Sequence, residues 1–255
     1  MITPKEKSDF SKYDGPDRII SSYEMRDHLK KTEKDTITVF SKIPGLDKAT
    51  GGFQTGELIA LSGPTKNGKT LFSQTLTKNF HDQQVFSLWF SFELPPRQFL
   101  NCFKDLPLIF MPKILRSSNL AWLDDRILES FQKFNTRIVF VDHLHYCLDL
   151  ARVKNPSIEI GQVIRHLKLL AVRESLIIFL MCHTNKSGAE NLSYQSLRDS
   201  SFISQESDSV LMIKRTPEDG ENAARLRVEF HRRTGCLEKV IDLIKINGFL
   251  EERTK

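Results

Sequence analysis

The sequence has no long apolar run, no closely spaced cysteine pair and no leader-like start. Its longest apolar stretch, residues 176–182, is far too short to cross a bilayer as a helix. Residues 1–12 are polar and lack the apolar core of a secretory signal. The four cysteines lie far apart, which argues against a zinc site or redox pair and favours buried thiols in a reducing compartment. We therefore expect a soluble, cytoplasmic protein with no membrane partner.

Length and charge set broad limits on the architecture. A chain of 255 residues suits one large α/β domain that needs neither disulfides nor a structural metal. Residues 1–36 are charged and only loosely helical in pattern, so we expect an N-terminal tail or linker helix there and the main domain over residues 37–255. A net charge of +5 and a pI near 9.0 permit a polyanionic partner without requiring one.

Short apolar runs alternate with amphipathic stretches through the middle of the chain. Strands are predicted at residues 58–62, 85–92, 137–141 and 176–182, and helices at residues 71–80, 120–134 and 158–174. Continuous apolar strands alternating with helices predict a mostly parallel central sheet with helices on both faces. After residues 210–213 the pattern changes: residues 225–230 and 240–243 alternate around an Arg-Arg-Thr-Gly turn. This predicts a C-terminal antiparallel hairpin.

The strongest motif is a glycine loop between a predicted strand and a predicted helix. It matches G-x-x-x-x-G-K-[ST] at every specified position, in the context that a phosphate-binding P-loop requires. Backbone N–H groups of such a loop point at phosphates, the lysine reaches the β- and γ-phosphates, and the threonine hydroxyl binds Mg²⁺. The sequence therefore predicts ATP and Mg²⁺ as cofactors, held by Gly63, Pro64, Thr65, Lys66, Asn67, Gly68, Lys69 and Thr70.

Two carboxylates follow other predicted strands. Asp142 ends the apolar run that begins at residue 138, as expected of a second Mg²⁺ anchor (a Walker B element). Glu93 closes the strand that follows the P-loop helix, so it should emerge at the carboxyl edge of the sheet and serve as the base for the attacking water. Taken alone, each carboxylate is equally typical of a solvated strand end. Lys69 and Glu93 are thus the first predicted catalytic residues.

Several ordered motifs together resemble the RecA-like ATPase domain of replicative DnaB-type hexameric helicases, a P-loop NTPase fold. The resemblance covers residues 38–247 and includes a lead-in at residues 43–58, S-F-E-L-P at residues 91–95 and D-H-L at residues 142–144. The most specific segment is L-R-D-S-S-F-I-S-Q-E-S-D at residues 197–208, which is similar to the family's L-R-E-S-G-x-I-E-Q-D-A-D. The N-terminal collar domain of that family has no counterpart in residues 1–36.

The resemblance implies further roles. His183 would sense the γ-phosphate, although a histidine leaving a buried strand is also typical of a core residue. Arg233 would act as an arginine finger on a neighbouring subunit's ATP, and either His231 or Arg232 would stand in for the family's lysine. DNA contacts would come from Lys186, Arg198 and Asp199.

The implied function is ATP-dependent DNA unwinding or translocation. The partners would be single-stranded DNA, further copies of the chain in a hexameric ring or other homo-oligomer, and a loader or primase-like protein. A non-motor RecA-like ATPase with a regulatory or recombination role is the alternative interpretation. A small-molecule kinase is a third class that shares the same loop, but the sequence offers no compact arginine cluster for its lid.

Overall fold

The computed structural model describes residues 11–32, 36–147, 156–182 and 200–253. Internal contacts divide the chain after Thr36 into two compact units. The first contains α1 (Ser22–Thr32), which begins with a reciprocal capping arrangement between Ser21 and Glu24. No helix in these ranges is long and apolar enough to cross a membrane.

The second unit is built on a nine-stranded sheet with the strand order β11-β10-β9-β8-β3-β7-β6-β4-β5. A separate small antiparallel pair precedes the sheet in the chain. The strands are β1 (Thr38–Val39), β2 (Phe53–Gln54), β3 (Leu58–Ser62), β4 (Ser87–Ser91), β5 (Ile109–Phe110), β6 (Ile138–Asp142), β7 (Ile177–Met181), β8 (Ser209–Arg215), β9 (Ala223–His231), β10 (Cys236–Ile246) and β11 (Phe249–Glu252). The helices of this unit are α2 (Pro44–Thr50), α3 (Lys69–His81), α4 (Pro96–Asn101), α5 (Leu120–Phe134), α6 (Pro156–Arg173) and α7 (Ser200–Glu206).

The central strands are buried on both faces, which explains their uninterrupted apolar sequences. Every residue of β3, β4, β6 and β7 is buried. Alternate strand residues pack against α2, α3 and α4 on one face and against α5, α6 and α7 on the other. These four strands and β8 run parallel, so the predicted mostly parallel sheet with two helical layers is confirmed.

A row of aromatic rings crosses the sheet on the α3 face. Trp89, Phe140 and Phe179 occupy matching positions on β4, β6 and β7, and their rings stack with centroids 4.5 and 4.8 Å apart. The Trp89 indole N–H donates to the Thr77 hydroxyl of α3 at 3.0 Å. The row therefore fixes α3, and with it the loop before α3, relative to the neighbouring strands.

The C-terminal part is antiparallel, as predicted, but larger than a single hairpin. β9 pairs with β8 and β10, and the turn between β9 and β10 spans residues 232–235. β11 then folds back onto β10 and extends the sheet by one more strand. The sequence did not reveal β11 because it is only four residues long and ends in two glutamates.

Asp208 ties the parallel strands to the helical layer. One of its carboxylate oxygens accepts the Leu58 N–H at 2.8 Å and the Lys168 ammonium of α6 at 2.7 Å, and both side chains are largely buried. Lys168 also donates to the Gly56 carbonyl at 2.7 Å. The last residue of the family-like segment at 197–208 thus has a structural role at the start of β3.

We predict that Asp208→Ala lowers the free energy of unfolding by about 2 kcal/mol, because it leaves a buried ammonium and a buried N–H without their acceptor. Urea denaturation measures this difference. The matched control is Asp242→Ala, which removes a carboxylate from an ion pair with Arg225 whose side chains are 50% and 38% exposed. We expect that control to cost less than about 1 kcal/mol. Equal losses in the two variants would contradict the structural role of Asp208.

Candidate ATP-binding site

The glycine loop lies between the end of β3 and the start of α3, as its sequence context predicts. Gly63 has a φ of 151°, and a Cβ at this position would stand 2.1 Å from the Ile213 carbonyl oxygen of β8. Gly68, immediately before α3, has a φ of 94°. Both positions require glycine, since side chains disfavour these backbone conformations, and at Gly63 β8 also leaves no room for one.

Lys69 is the first residue of α3 and is buried, with a relative exposure of 5%. Its ammonium donates to the carbonyl oxygens of Gly63 at 2.9 Å and Pro64 at 3.1 Å, so the side chain folds back over the loop. Burial lowers the pKa of Lys69, while the negative charges of Glu93 and Asp142 act in the opposite direction. The lysine is thus held inside the loop and beside both predicted carboxylates.

Thr70 and Asp142 meet across two neighbouring elements. The Thr70 hydroxyl donates to one carboxylate oxygen of Asp142 at 3.0 Å, and Asp142 is completely buried at the end of β6. Its other oxygen accepts no hydrogen bond from the described part of the chain. Burial, and then the charge of Glu93, raises the pKa of Asp142 to about 6, against the opposing effects of Thr70 and Lys69. This carboxylate is suited to a cation ligand.

Glu93 reaches the same edge from β4. Ser91 and Asp142 are partners in the parallel register of β4 and β6, and the Phe92 N–H donates to the Asp142 carbonyl at 2.8 Å. The Glu93 side chain is 38% exposed, and its carboxylate lies 3.9 Å from the His143 imidazole. Parallel pairing therefore brings Lys69, Thr70, Asp142 and Glu93 together from three separate segments.

A cavity of about 230 Å³ adjoins the glycine loop on its β8 side. Loop residues Lys66, Asn67 and Gly68 line one wall, and the Asn67 side-chain oxygen accepts the Arg215 backbone N–H at 3.0 Å. Residues of β8–β11 and their connections form the rest, including Arg215, Asn222, Lys245 and Leu250. The sequence motifs did not point to these residues, because they come from antiparallel strands that lie next to the loop only in the folded sheet.

Arg233 lies at the opposite edge of the sheet. β9 runs antiparallel to β8, with His231 opposite Ser209 and Ala224 opposite Arg215, so the β9–β10 turn is at the end of β8 remote from the loop. The Arg233 guanidinium donates to Glu57 at 2.8 Å and to the Thr50 and Gly52 carbonyls at 3.0 and 2.7 Å. Its side chain is 32% exposed.

The two candidates for the family's lysine point in different directions. His231 is buried on the Arg233 side, with its imidazole 3.8 Å from the Glu57 carboxylate, and burial lowers its pKa. Arg232 instead donates to the Gln205 carbonyl. Of these two residues, His231 therefore shares the environment of Arg233.

Four predicted site residues, His183, Lys186, Arg198 and Asp199, lie outside the described residues. Their roles remain predictions. The described chain does lead to the site at this point, since the Cys182 N–H, just after β7, donates to the Leu61 carbonyl of β3 at 2.8 Å.

The fold and the loop define a class, the RecA-like P-loop NTPase domains. Comparison with known proteins narrows this class. The chain is 25% identical over 256 residues to the replicative DNA helicase DnaB of Haemophilus influenzae, a match covering 82% of this chain and 54% of the helicase. The chain thus spans about half the length of the curated relative it matches. No family model matches the sequence.

Two solved structures share the fold. An ATPase domain solved by itself superimposes with a TM-score of 0.73 and 17% identity, covering 93% of this chain and all of that domain. A DnaB-like replicative helicase, studied with its interactions with primase, gives 0.70 and 18% identity over 93% of this chain and 68% of the helicase. The chain therefore has the fold of a DnaB-type RecA-like ATPase domain, and the predicted resemblance is confirmed.

We predict that Asp142→Asn raises the free energy of unfolding of the nucleotide-free protein near pH 7. The raised pKa means that the folded state holds the Asp142 proton more tightly than the unfolded chain does, so the buried charge destabilises the fold above about pH 6. The gain reaches at most about 3 kcal/mol, since one pKa unit corresponds to about 1.4 kcal/mol. It should shrink as the pH falls from about 6 to about 4, where both states protonate the carboxyl.

Chemical denaturation across this pH range measures the effect. Asp125→Asn, at an exposed position of α5, is the matched control and should show no pH-dependent gain. A constant difference between Asp142→Asn and the parent protein at every pH would contradict the assignment of a destabilising buried charge.

Proposed function

We propose that this chain is an ATP-dependent DNA helicase or translocase of the DnaB type, which hydrolyses ATP at subunit interfaces to move on single-stranded DNA. The observation that carries the proposal is the convergence of Lys69, Thr70, Asp142 and Glu93 on one sheet edge, with Arg233 at the other. The similarity to DnaB supports the choice of this motor class.

ATP binds through the glycine loop in this account. Loop N–H groups and the N-terminal end of α3 surround the phosphates, and the Lys69 ammonium exchanges its loop carbonyls for phosphate oxygens. The cavity beside Lys66 and Asn67 is positioned to take the nucleoside end of the molecule.

Thr70 and Asp142 would hold Mg²⁺, which supplies positive charge to the phosphates when bound. The residues fit this role, because Asp142 is a buried carboxylate with one oxygen that accepts no hydrogen bond from the described residues. Oxygen ligands of this kind are those that Mg²⁺ prefers.

Glu93 is proposed as the base that takes a proton from the attacking water. It is the more exposed of the two carboxylates, at 38%, so water reaches it while Asp142 stays covered. A base must lie within hydrogen-bonding reach of the water it activates, and the sheet edge provides that position next to the phosphates.

Arg233 is proposed to act on a neighbour's ATP. The seven residues of β8 separate its turn from the glycine loop, a span of about 20 Å at the usual rise of a strand, so Arg233 does not reach its own site. Head-to-tail contact between copies brings one subunit's turn to the next subunit's loop, and repetition of that contact closes a ring. A hexameric ring is the form we propose.

Single-stranded DNA is the proposed track, contacted by Lys186, Arg198 and Asp199, with His183 linking the phosphate state to that loop. Cations in such a loop bind the phosphate backbone without reading sequence. A loader or primase-like protein is the further proposed partner, supported by the primase interactions of the DnaB-like helicase of similar fold.

The arginine finger is tested by mixing inactive subunits. Arg233→Ala keeps a complete loop but gives its neighbour no finger, while Glu93→Ala keeps its finger but lacks the base. Each variant alone should hydrolyse ATP slowly. An equal mixture should recover activity, because random head-to-tail assembly makes about one interface in four complete.

The matched control is a mixture of Lys69→Ala and Glu93→Ala, which both damage the same site and both retain Arg233. This mixture should stay inactive, since none of its interfaces combines an intact loop and base. Steady-state ATP hydrolysis measures both mixtures. Equal, unrestored activity in the two would exclude a finger that acts between subunits.

A further inference from the structure

One cluster at the sheet edge contains a nitrogen ligand that the ATP site does not use. Glu93, Asp142 and His143 each offer one ligand atom, and these atoms all lie within 4.8 Å of one another. The His143 side chain is 12% exposed, and its Nδ1 lies 3.9 Å from a Glu93 oxygen. The three residues follow or end two adjacent parallel strands, so the sheet itself fixes their spacing.

The cluster has an excess of negative charge and an unused acceptor. Asp142 is completely buried, one of its oxygens binds the Thr70 hydroxyl, and the other accepts no hydrogen bond from the described residues. The Lys69 ammonium, whose charge acts on this carboxylate, donates instead to two loop carbonyls at 2.9 and 3.1 Å. A buried carboxylate oxygen without a donor is costly, and a bound cation would remove that cost.

The ligand types determine which cation fits. Mg²⁺ is a hard ion that prefers oxygen ligands in octahedral geometry, whereas imidazole nitrogen favours transition metals such as zinc. Two carboxylates and one imidazole resemble the three protein ligands of an open tetrahedral zinc site, whose fourth position holds water. We infer that Glu93, Asp142 and His143 form a binding site for a transition-metal dication, with Zn²⁺ as the best match.

The distances allow such a site after a small movement. Metal–ligand bonds of about 2.0–2.1 Å in a tetrahedron place ligand atoms about 3.3 Å apart. The 3.9 Å separation of Glu93 and His143 therefore has to close by about 0.6 Å. Glu93 lies in the bend after β4 and is the exposed member of the cluster, so its side chain supplies that movement.

Binding would have a consequence for hydrolysis, and this part alone rests on the proposed function. A metal at the cluster occupies the carboxylate of Glu93 and one oxygen of Asp142, which withdraws the base and an Mg²⁺ ligand together. The ion would hold the enzyme in an inactive form. Excess Mg²⁺ does not displace it, because Mg²⁺ binds imidazole poorly.

The test uses Co²⁺ as a visible-light probe of the same ligands, added to the nucleotide-free full chain in excess Mg²⁺. Ligand-field absorption should rise to one equivalent in the parent protein. His143→Gln should weaken binding by at least about 100-fold, since even the loss of an outer partner costs about 10–100-fold. Unlabelled Zn²⁺ should abolish the absorption by competition.

The matched control is His145→Gln, whose ring centroid lies 5.3 Å from that of His143 but which is not part of the cluster. It should bind Co²⁺ as the parent does. Glu93→Gln, at an exposed position, should weaken binding and guards against a folding defect in the His143 variant. Equal Co²⁺ binding by parent and His143→Gln, loss in His145→Gln, or no absorption in the parent would overturn the inference, and none of these results depends on ATP hydrolysis.

Discussion

The hydrogen bond between Thr70 and Asp142 is the contact on which the candidate site depends. It joins the first turn of α3 to the end of β6, two segments far apart in the sequence, at a distance of 3.0 Å. Parallel pairing makes the contact possible, because the carboxyl ends of β3, β4 and β6 all reach the same edge. The aromatic row of Trp89, Phe140 and Phe179 then holds α3 and the strands in register.

The same sheet separates two functions by its length. The glycine loop lies at one end of β8 and the Arg233 turn at the other, because β9 returns antiparallel to β8. Within one chain, Arg233 is held by Glu57 and by two backbone carbonyls at the end of α2 and just beyond it. A ring of identical subunits would use both ends of the sheet at every interface, which is the physical reason for connecting hydrolysis to assembly.

Much of this architecture could be predicted from the sequence. The strands were readable because burial on both faces leaves only apolar residues between turn signals, and α5 was predicted with its observed bounds. The glycine loop was readable because its glycines meet strict local demands, as Gly63 shows. The cavity wall from Arg215 to Leu250, the place of Arg233 beside Glu57 and the His143–Glu93 approach were not predictable. They arise from contacts between distant segments, for which local patterns carry no signal.

The central claim is that ATP hydrolysis is coupled to single-stranded DNA through assembly of identical subunits. It is tested most directly by the steady-state ATPase rate with and without single-stranded DNA, with the mass of the protein determined in parallel under ATP and Mg²⁺. The account predicts strong stimulation together with a hexamer-sized species. Slow turnover by a monomer, unchanged by DNA, would contradict the motor and favour a regulatory ATPase that uses the same loop.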